Sequence, residues 1–76
     1  MKEMLGDRIR IARARLHITQ AELARRIHIS ATAMHAIESG GADPRASRIA
    51  ALAAVLGVST DYLLGMDTSE DEEDAA

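Results

Sequence analysis

Two helix-starting signals in the first half of the chain constrain its fold more than any other feature. Thr19 is followed three residues later by Glu22, the spacing of a capping box, in which side chains satisfy free N–H groups of a helix's first turn. Ser30 is a second candidate N-cap. Apolar residues at helical spacing follow each signal, so two short helices are predicted with only His28-Ile29-Ser30 between them.

These two helices must cross steeply, because the connection between them is so short. We expect the first over residues 20–27 and the second over residues 31–38. Their predicted buried residues are Leu23, Ala24, Ile27, Met34 and Ile37. The small side chain of Ala24 suits a close crossing. Such a pair has helix-turn-helix geometry, in which the second helix enters the major groove of DNA.

Helical periodicity covers most of the remaining chain, and no alternating β-strand pattern occurs. The other predicted helices run from about Lys2 to Leu16, from Arg45 or Ser47 to Leu56, and from Thr60 to Leu64 after a Ser59 cap. The predicted buried stripes are Leu5, Ile9, Ala12 and Leu16 in the first of these, and Ile49, Leu52, Ala53 and Leu56 in the second. The sequence therefore predicts an all-α, compact five-helix domain.

Charge divides the chain into two unlike parts. The 76 residues carry a formal charge of −3, yet residues 67–76 hold six acidic residues and no basic one. Residues 1–66 hold nine basic and six acidic residues, a net charge of +3. We expect a weakly basic domain over 1–66 and a solvated, disordered acidic tail over 67–76. The overall negative sign consequently does not exclude DNA as a partner.

Composition excludes several other classes of protein. The chain has no cysteine for disulfides or thiolate metal sites, no apolar run of the ~20 residues that a bilayer requires, and no secretory signal pattern. We expect it to be cytoplasmic. It has no phosphate-binding glycine loop or nucleophile elbow, so we expect no enzyme activity, no cofactor and no small-molecule ligand. His17, His28 and His35 are interpreted as surface residues rather than metal ligands, because no cysteine or carboxylate cluster joins them.

Several short motifs, taken in their order and spacing, resemble the phage-repressor (Xre-type, lambda-repressor-like) helix-turn-helix family. They are T-Q-A-E-L-A at 19–24, I-x-x-S at 27–30, M-x-x-I-E-x-G at 34–40, Pro44, and L-A-x-x-L-G-V-S-x-D-Y-L-L-G at 52–65. The resemblance covers about Leu5 to Gly65. It implies a five-helix domain that regulates transcription, as a repressor, by binding a pseudo-palindromic operator in double-stranded DNA as a homodimer. It also places His28 where relatives often have glycine, in a turn that requires a positive φ; histidine tolerates one better than most residues.

The resemblance also assigns roles to three residues that do not face the DNA bases. Gln20 matches a glutamine that contacts a DNA phosphate and braces the recognition helix. Arg13 and Glu38 match a pair that forms a structural salt bridge between the first and third helices. Loss of one partner would leave the other charge uncompensated.

The recognition helix carries few side chains suited to reading bases. The family's base-facing positions fall on Ala31, Thr32 and Ala36, with His35 nearby and Ala33 beside the backbone. Alanine cannot hydrogen-bond a base, although it and the Thr32 methyl can touch a thymine methyl. We therefore expect shape readout and phosphate contacts to dominate. The candidate phosphate contacts are Gln20, Ser30, Arg45, Ser47 and Arg48, although Arg45 fits a solvated loop charge equally well.

The last helix and the alanine-rich recognition helix leave two further questions open. Tyr62 and Leu64 are candidates for a dimer interface, as in many relatives, while Leu63 is expected to pack on its own core. Arg8, Arg10 and Arg15 are interpreted as solvated charges.

An alternative function is a protein-interaction module of the antitoxin or antirepressor type, with weak DNA readout and an acidic tail that imitates nucleic acid.

Overall fold

A computed structural model describes residues 4–66 of the chain. Within this range the chain forms five α-helices and no β-strand. The helices are α1 (Met4–Leu16), α2 (Gln20–Arg26), α3 (Ala31–Ser39), α4 (Ala46–Leu56) and α5 (Thr60–Leu64). The predicted all-α, five-helix fold is confirmed. The predicted start of the first helix at Lys2 and the predicted acidic tail over 67–76 lie outside the described residues.

The predicted N-caps form three of the helix starts. The Thr19 hydroxyl accepts a hydrogen bond from the Glu22 N–H at 3.0 Å. Ser30 and Ser59 cap α3 and α5 in the same way, at 3.0 and 2.9 Å. The capping box at Thr19 is only half formed, because the Glu22 carboxylate pairs instead with Arg26 one helical turn later, at 2.8 Å. These caps fix where α2 and α3 begin, and hence the length of the turn between them.

A single apolar core joins all five helices, with α1 packed against α3, α4 and α5, and α2 against α3 and α4. Its buried members are Ile9, Ala12, Leu23, Ala24, Met34, Ile37, Ile49, Leu52, Ala53, Leu56 and Leu63. The predicted core of α3 and α4 is confirmed. The predicted burial of Leu16 is wrong, since that side chain is 44% exposed. The helix ends there and the chain turns, so that the half-buried Ile18 packs on the core instead.

Two histidines hold the left-handed conformation that L-residues adopt at a cost. His28 has φ 62°, which confirms the positive φ expected for this turn, and His17 has φ 57°, which the sequence did not reveal. Each follows the last turn of a helix, α2 and α1 respectively, and each side chain is exposed. Backbone strain is therefore present at both helix ends, without a side-chain contact in the core to offset it.

Replacing either histidine by glycine is expected to raise the free energy of unfolding. Relief of left-handed strain is worth about 1–2 kcal/mol, and the greater freedom of unfolded glycine opposes it by about 0.5–1 kcal/mol. We expect a net gain of about 0.5–1 kcal/mol for His17→Gly and for His28→Gly, measured by urea unfolding. His35→Gly is the matched control, because His35 lies inside α3, where the same change should destabilise. A loss of stability at positions 17 and 28 as well would contradict the argument.

Candidate nucleic-acid interface

The turn between α2 and α3 is held on both sides by the core. α2 ends at Arg26, one residue earlier than predicted, and Ile27 and Ile29 of the turn pack partly buried against the core. The Ile29 N–H donates to the Ala24 carbonyl at 3.0 Å. Ala24 itself is only 2% exposed, in keeping with a small residue at a close helix contact. α3 is consequently fixed in position relative to α2.

α3 presents a small, mostly apolar face to solvent. Its exposed residues are Ala31, Thr32, His35 and Ser39, and its half-buried residues include Ala33 and Ala36. The Ser39 hydroxyl donates to the Ala36 carbonyl at 3.2 Å, so its hydrogen is used within the helix. The polar groups of the exposed Thr32 and His35 make no side-chain hydrogen bond to any other residue of the range 4–66. This face can offer methyl groups and two hydrogen-bonding side chains to a ligand.

A buried carboxylate lies beneath α3. Glu38 is 4% exposed and is bound in bidentate fashion by Arg13 of α1, with Nε to Oε2 at 2.8 Å and Nη2 to Oε1 at 3.0 Å. Arg13 also donates from Nη1 to the Ile18 carbonyl at 3.1 Å, in the connection before α2. The ion pair thus ties α1, the α1–α2 connection and α3 together, with the parallel bonds that make an arginine–carboxylate contact strong.

Gln20, the first residue of α2, joins the same carboxylate. Its Nε2 donates to Glu38 Oε1 at 3.2 Å, and its side chain is half-buried. The brace that the family resemblance implied between Gln20 and the recognition helix therefore runs to the last turn of α3, through Glu38. Among residues 4–66, no buried side-chain nitrogen or oxygen lacks a hydrogen-bond partner.

The contact between α1 and α3 depends on two residues that sequence reasoning missed. A Cβ on Gly6 would lie 2.0 Å from the Glu38 backbone oxygen, so only glycine allows this close approach. Arg10, one turn further along α1, donates from Nη1 to that same oxygen at 2.8 Å. Gly6, Arg10 and Arg13 follow a 4, 3 spacing, so they share one face of α1. Two sequence signals could have indicated this contact: a glycine inside a helix, and the shared helix face of these three residues.

The proposed phosphate-binding residues of the loop and α4 lie around one groove. The groove has a volume of about 450 Å³ and is lined by Asp43, Pro44, Arg45, Ser47 and Arg48. Arg45 is the N-cap residue of α4 and makes no side-chain cap bond. Because its side chain and those of Ser47 and Arg48 are exposed, two guanidinium groups and a hydroxyl are available beside the start of α4.

Comparison with known proteins places this architecture in a family. Residues 4–64 match the model of a helix-turn-helix domain. The chain belongs to the helix-turn-helix domain family. It is 35% identical over 68 residues to repressor protein C2 of Salmonella phage P22, which confirms the phage-repressor type inferred from the motifs. The match covers 90% of this chain but 32% of that repressor, so the chain spans about a third of its relative's length.

Two solved structures share the fold of this helix-turn-helix domain. The solution structure of the P22 c2 repressor DNA-binding domain has a TM-score of 0.80 at 34% identity, over 92% of each chain. A crystal structure of the P22 c2 repressor with a synthetic operator, in the presence of Tl⁺, has a TM-score of 0.78 at 36% identity. That alignment covers 84% of this chain and 97% of the other. A fold similar to this one therefore occurs in a repressor solved in complex with a synthetic operator.

The structure divides the arginines of the domain into two groups. Arg8 donates to the Tyr62 carbonyl at 3.0 Å, Arg10 binds Glu38 and pairs with Asp7, Arg13 binds Glu38, and Arg26 pairs with Glu22. The interpretation of Arg8 as a solvated charge is wrong, because Arg8 is half-buried and bonded to α5. Arg10 is exposed, as expected, but it also donates to the Glu38 backbone carbonyl of α3. No such bond is recorded within residues 4–66 for the exposed Arg15, Arg25, Arg45 and Arg48. As far as the described residues show, these four exposed guanidinium groups are available to an anionic ligand.

The end of the helix-turn-helix domain has an apolar surface. Leu63 is fully buried, as predicted, while Leu64 and Met66 are 44% and 61% exposed. Tyr62 is half-buried, and the Arg8 guanidinium lies 4.6 Å from its ring centroid, a cation–π contact. Of the two candidate interface residues, Leu64 is the more accessible.

Two negative findings apply to residues 4–66. No three histidine, aspartate or glutamate side chains come close enough together to hold a metal ion. None of the helices in this range combines the length and apolar character needed to cross a bilayer.

Proposed function

We propose that this chain is a sequence-specific DNA-binding domain of a transcriptional regulator, a repressor, with α3 in the major groove of its operator. The observation that carries the proposal is the similarity, over nearly all of the described fold, to the P22 c2 repressor that has been solved with a synthetic operator. The relatives are repressors, which favours a non-enzymatic role. A DNA-binding role places the protein where its DNA is, which we propose to be the cytoplasm.

Base contacts in this proposal come from the exposed face of α3. Thr32 and His35 supply the hydrogen-bonding groups, while Ala31 and Ala36 provide methyl groups for thymine. Ala33 lies beside the DNA backbone. Because so few groups can read base edges directly, part of the specificity comes from the shape and deformability of the operator.

Phosphate contacts flank α3 on both sides. Gln20 and Ser30 contact the backbone near the starts of α2 and α3, and Arg45, Ser47 and Arg48 contact it from the groove at the start of α4. The Ser30 oxygen accepts the cap bond from Ala33, which leaves its O–H free to donate outward. These contacts hold the register of α3 on the duplex.

Removal of either groove arginine should weaken DNA binding and its salt dependence together. We expect Arg45→Ala and Arg48→Ala each to lower operator affinity about tenfold, and to reduce the slope of log K against log salt by about 0.9, the value of one phosphate contact. Arg15→Ala is the matched control, because Arg15 is exposed on α1, away from the groove. Fluorescence anisotropy over a salt series measures both quantities. An unchanged slope for both groove variants would remove Arg45 and Arg48 from the interface.

A homodimer completes the proposal. Leu64, with Tyr62 beside it, contributes to a two-fold interface at the apolar end of the domain. A pair of domains related by such an axis would place two α3 helices about 34 Å apart, one turn of DNA.

Selection of bound sites from a random pool of duplex DNA tests function and symmetry together. We expect enrichment of a motif with two related half-sites whose centres lie about ten base pairs apart. A single unpaired motif would retain the DNA-binding role but remove the dimer. Absence of any enrichment would overturn the proposal. It would favour the protein-interaction module, in which the alanine-rich face of α3 packs on a protein partner.

A further inference from the structure

We propose that Glu38 is a positioning residue for DNA binding: its buried carboxylate orients the Gln20 amide so that one N–H points outward to a phosphate. The proposal rests on the Gln20–phosphate contact of the proposed function. Glu38 lies beneath α3 at 4% exposure and touches no ligand itself, so it acts through the hydrogen bond that Gln20 donates to it at 3.2 Å.

The chemistry of the carboxylate decides which end of the amide faces inward. An ionised carboxylate only accepts hydrogen bonds, whereas a glutamine amide has a donating nitrogen and an accepting oxygen. The guanidinium of Arg13 contacts both oxygens of the Glu38 carboxylate, so this group meets Gln20 as the acceptor half of an ion pair. The amide oxygen of Gln20 would be repelled at this position, so Nε2 must face Glu38.

The geometry of the amide then determines where its second hydrogen points. The two N–H bonds of Nε2 lie in one plane and diverge, so the bond not made to Glu38 is directed away from the carboxylate. Gln20 is half-buried at the first residue of α2, which lets this second N–H reach the surface. The side chain is ordered before DNA arrives, and binding does not have to immobilise it.

The same contact links a backbone anchor to the recognition helix. Gln20 belongs to α2 and Glu38 to α3, and Arg13 holds Glu38 against α1 through two bonds. A phosphate contact made by Gln20 is therefore held at a constant position relative to the base-reading face of α3. Phosphate contacts fix the orientation of a protein on DNA, so this link transmits that orientation to the helix that reads bases.

A double-mutant cycle tests this link between Glu38 and Gln20. It compares the DNA affinities of the wild type, Gln20→Ala, Glu38→Gln and the double variant. Each single variant is expected to bind the selected DNA about tenfold more weakly, the worth of one hydrogen bond to a charged group, and the double variant no more weakly than either. Glu22→Gln is the matched control, since this carboxylate on α2 pairs with Arg26 and makes no bond to Gln20. It should bind at least as tightly as the wild type.

Folding and orientation are checked independently of DNA. Thermal unfolding followed by circular dichroism identifies a temperature at which every variant is fully folded, and DNA binding is measured at that temperature. If Glu38→Gln does not fold, Glu38→Met combined with Arg13→Met removes both charges and preserves apolar packing, and it replaces Glu38→Gln in the cycle. In the free wild-type protein, NMR should show one Gln20 side-chain N–H shifted downfield and slow to exchange. That signature should disappear when Glu38 is replaced.

The outcomes separate the two proposals. A folded Glu38 variant that binds within twofold of wild type, while Gln20→Ala binds weakly, overturns the positioning role alone. The positioning role is also overturned if the double variant loses affinity by the product of the two single-variant factors, because the two residues would then act independently. A Gln20→Ala variant that binds like wild type overturns both the phosphate contact and the positioning role, even where the NMR signature in the free protein persists.

Discussion

Glu38→Ala is expected to lower the free energy of unfolding by about 3–5 kcal/mol, the cost of removing one partner from a buried ion pair. The side chain is 3% exposed and its partner Arg13 is 19% exposed, so the arginine would keep its charge with little access to water. Arg13 and Gln20 would both lose their shared acceptor. Because small domains are stable by only about 5–15 kcal/mol, a substantial fraction of the variant should be unfolded at elevated temperature.

Urea unfolding followed by far-UV circular dichroism measures this loss, and Glu22→Ala provides its control. Glu22 also pairs with an arginine, Arg26, but on the surface of α2 with side-chain exposures of 34% and 48%. An exposed pair one helical turn apart contributes only about 0.3–0.5 kcal/mol. Equal losses for the two variants would show that burial of Glu38 contributes nothing to the strength of its ion pair.

Gly6→Ala is expected to destabilise the fold by about 2 kcal/mol, although alanine is the better helix former. Helix propensity favours alanine by about 1 kcal/mol, whereas overpacking costs about 1–3 kcal/mol and more where the obstacle is rigid. The added Cβ would lie 2.0 Å from the Glu38 backbone oxygen and 2.8 Å from its carbonyl carbon. No rotamer change relieves a contact with backbone, so α1 and α3 must move apart and the steric cost outweighs the propensity gain.

Gly41→Ala separates this steric effect from the effect of substituting glycine in general. A Cβ at Gly41 would meet its nearest neighbours at 3.7 Å, an ordinary van der Waals distance. Thermal and urea unfolding of the two variants should show a large loss at position 6 and little change at position 41. A Gly6→Ala variant as stable as the wild type would contradict the close packing of α1 on α3.

Several local features could be predicted because their signals are local. The hydroxyls of Thr19, Ser30 and Ser59 cap helices whose N–H groups lie only three residues further along the chain. The buried stripe of α4 follows from helical spacing alone. Leu16 continued the stripe of α1 but became exposed, because the periodicity of a helix does not reveal where the chain turns away from the core.

The proposed DNA-binding residues were predicted from motif positions rather than from physical necessity. The structure adds which of them can act together: Arg45, Ser47 and Arg48 line one groove, and Gln20 connects to the recognition helix through Glu38. It also separates the arginines used inside the fold, such as Arg8, from those still available to a ligand. Spacing could not make this distinction, because an arginine bonded to protein and one facing solvent look alike in sequence.

The sequence by itself determined the number of helices, most of their ends and the helix-turn-helix, because capping, glycine stops and helical spacing act over a few residues. Only the tertiary structure decided the roles of Arg8 and Arg10. Their partners are the backbone carbonyls of Tyr62 and Glu38, 54 and 28 residues away. Every residue has such a carbonyl, so no side chain marks the one that will be bonded. Gly6 stands out as a glycine inside a helix, but its partner is not marked in the sequence either, since the atom that forbids a larger residue there is again the backbone oxygen of Glu38.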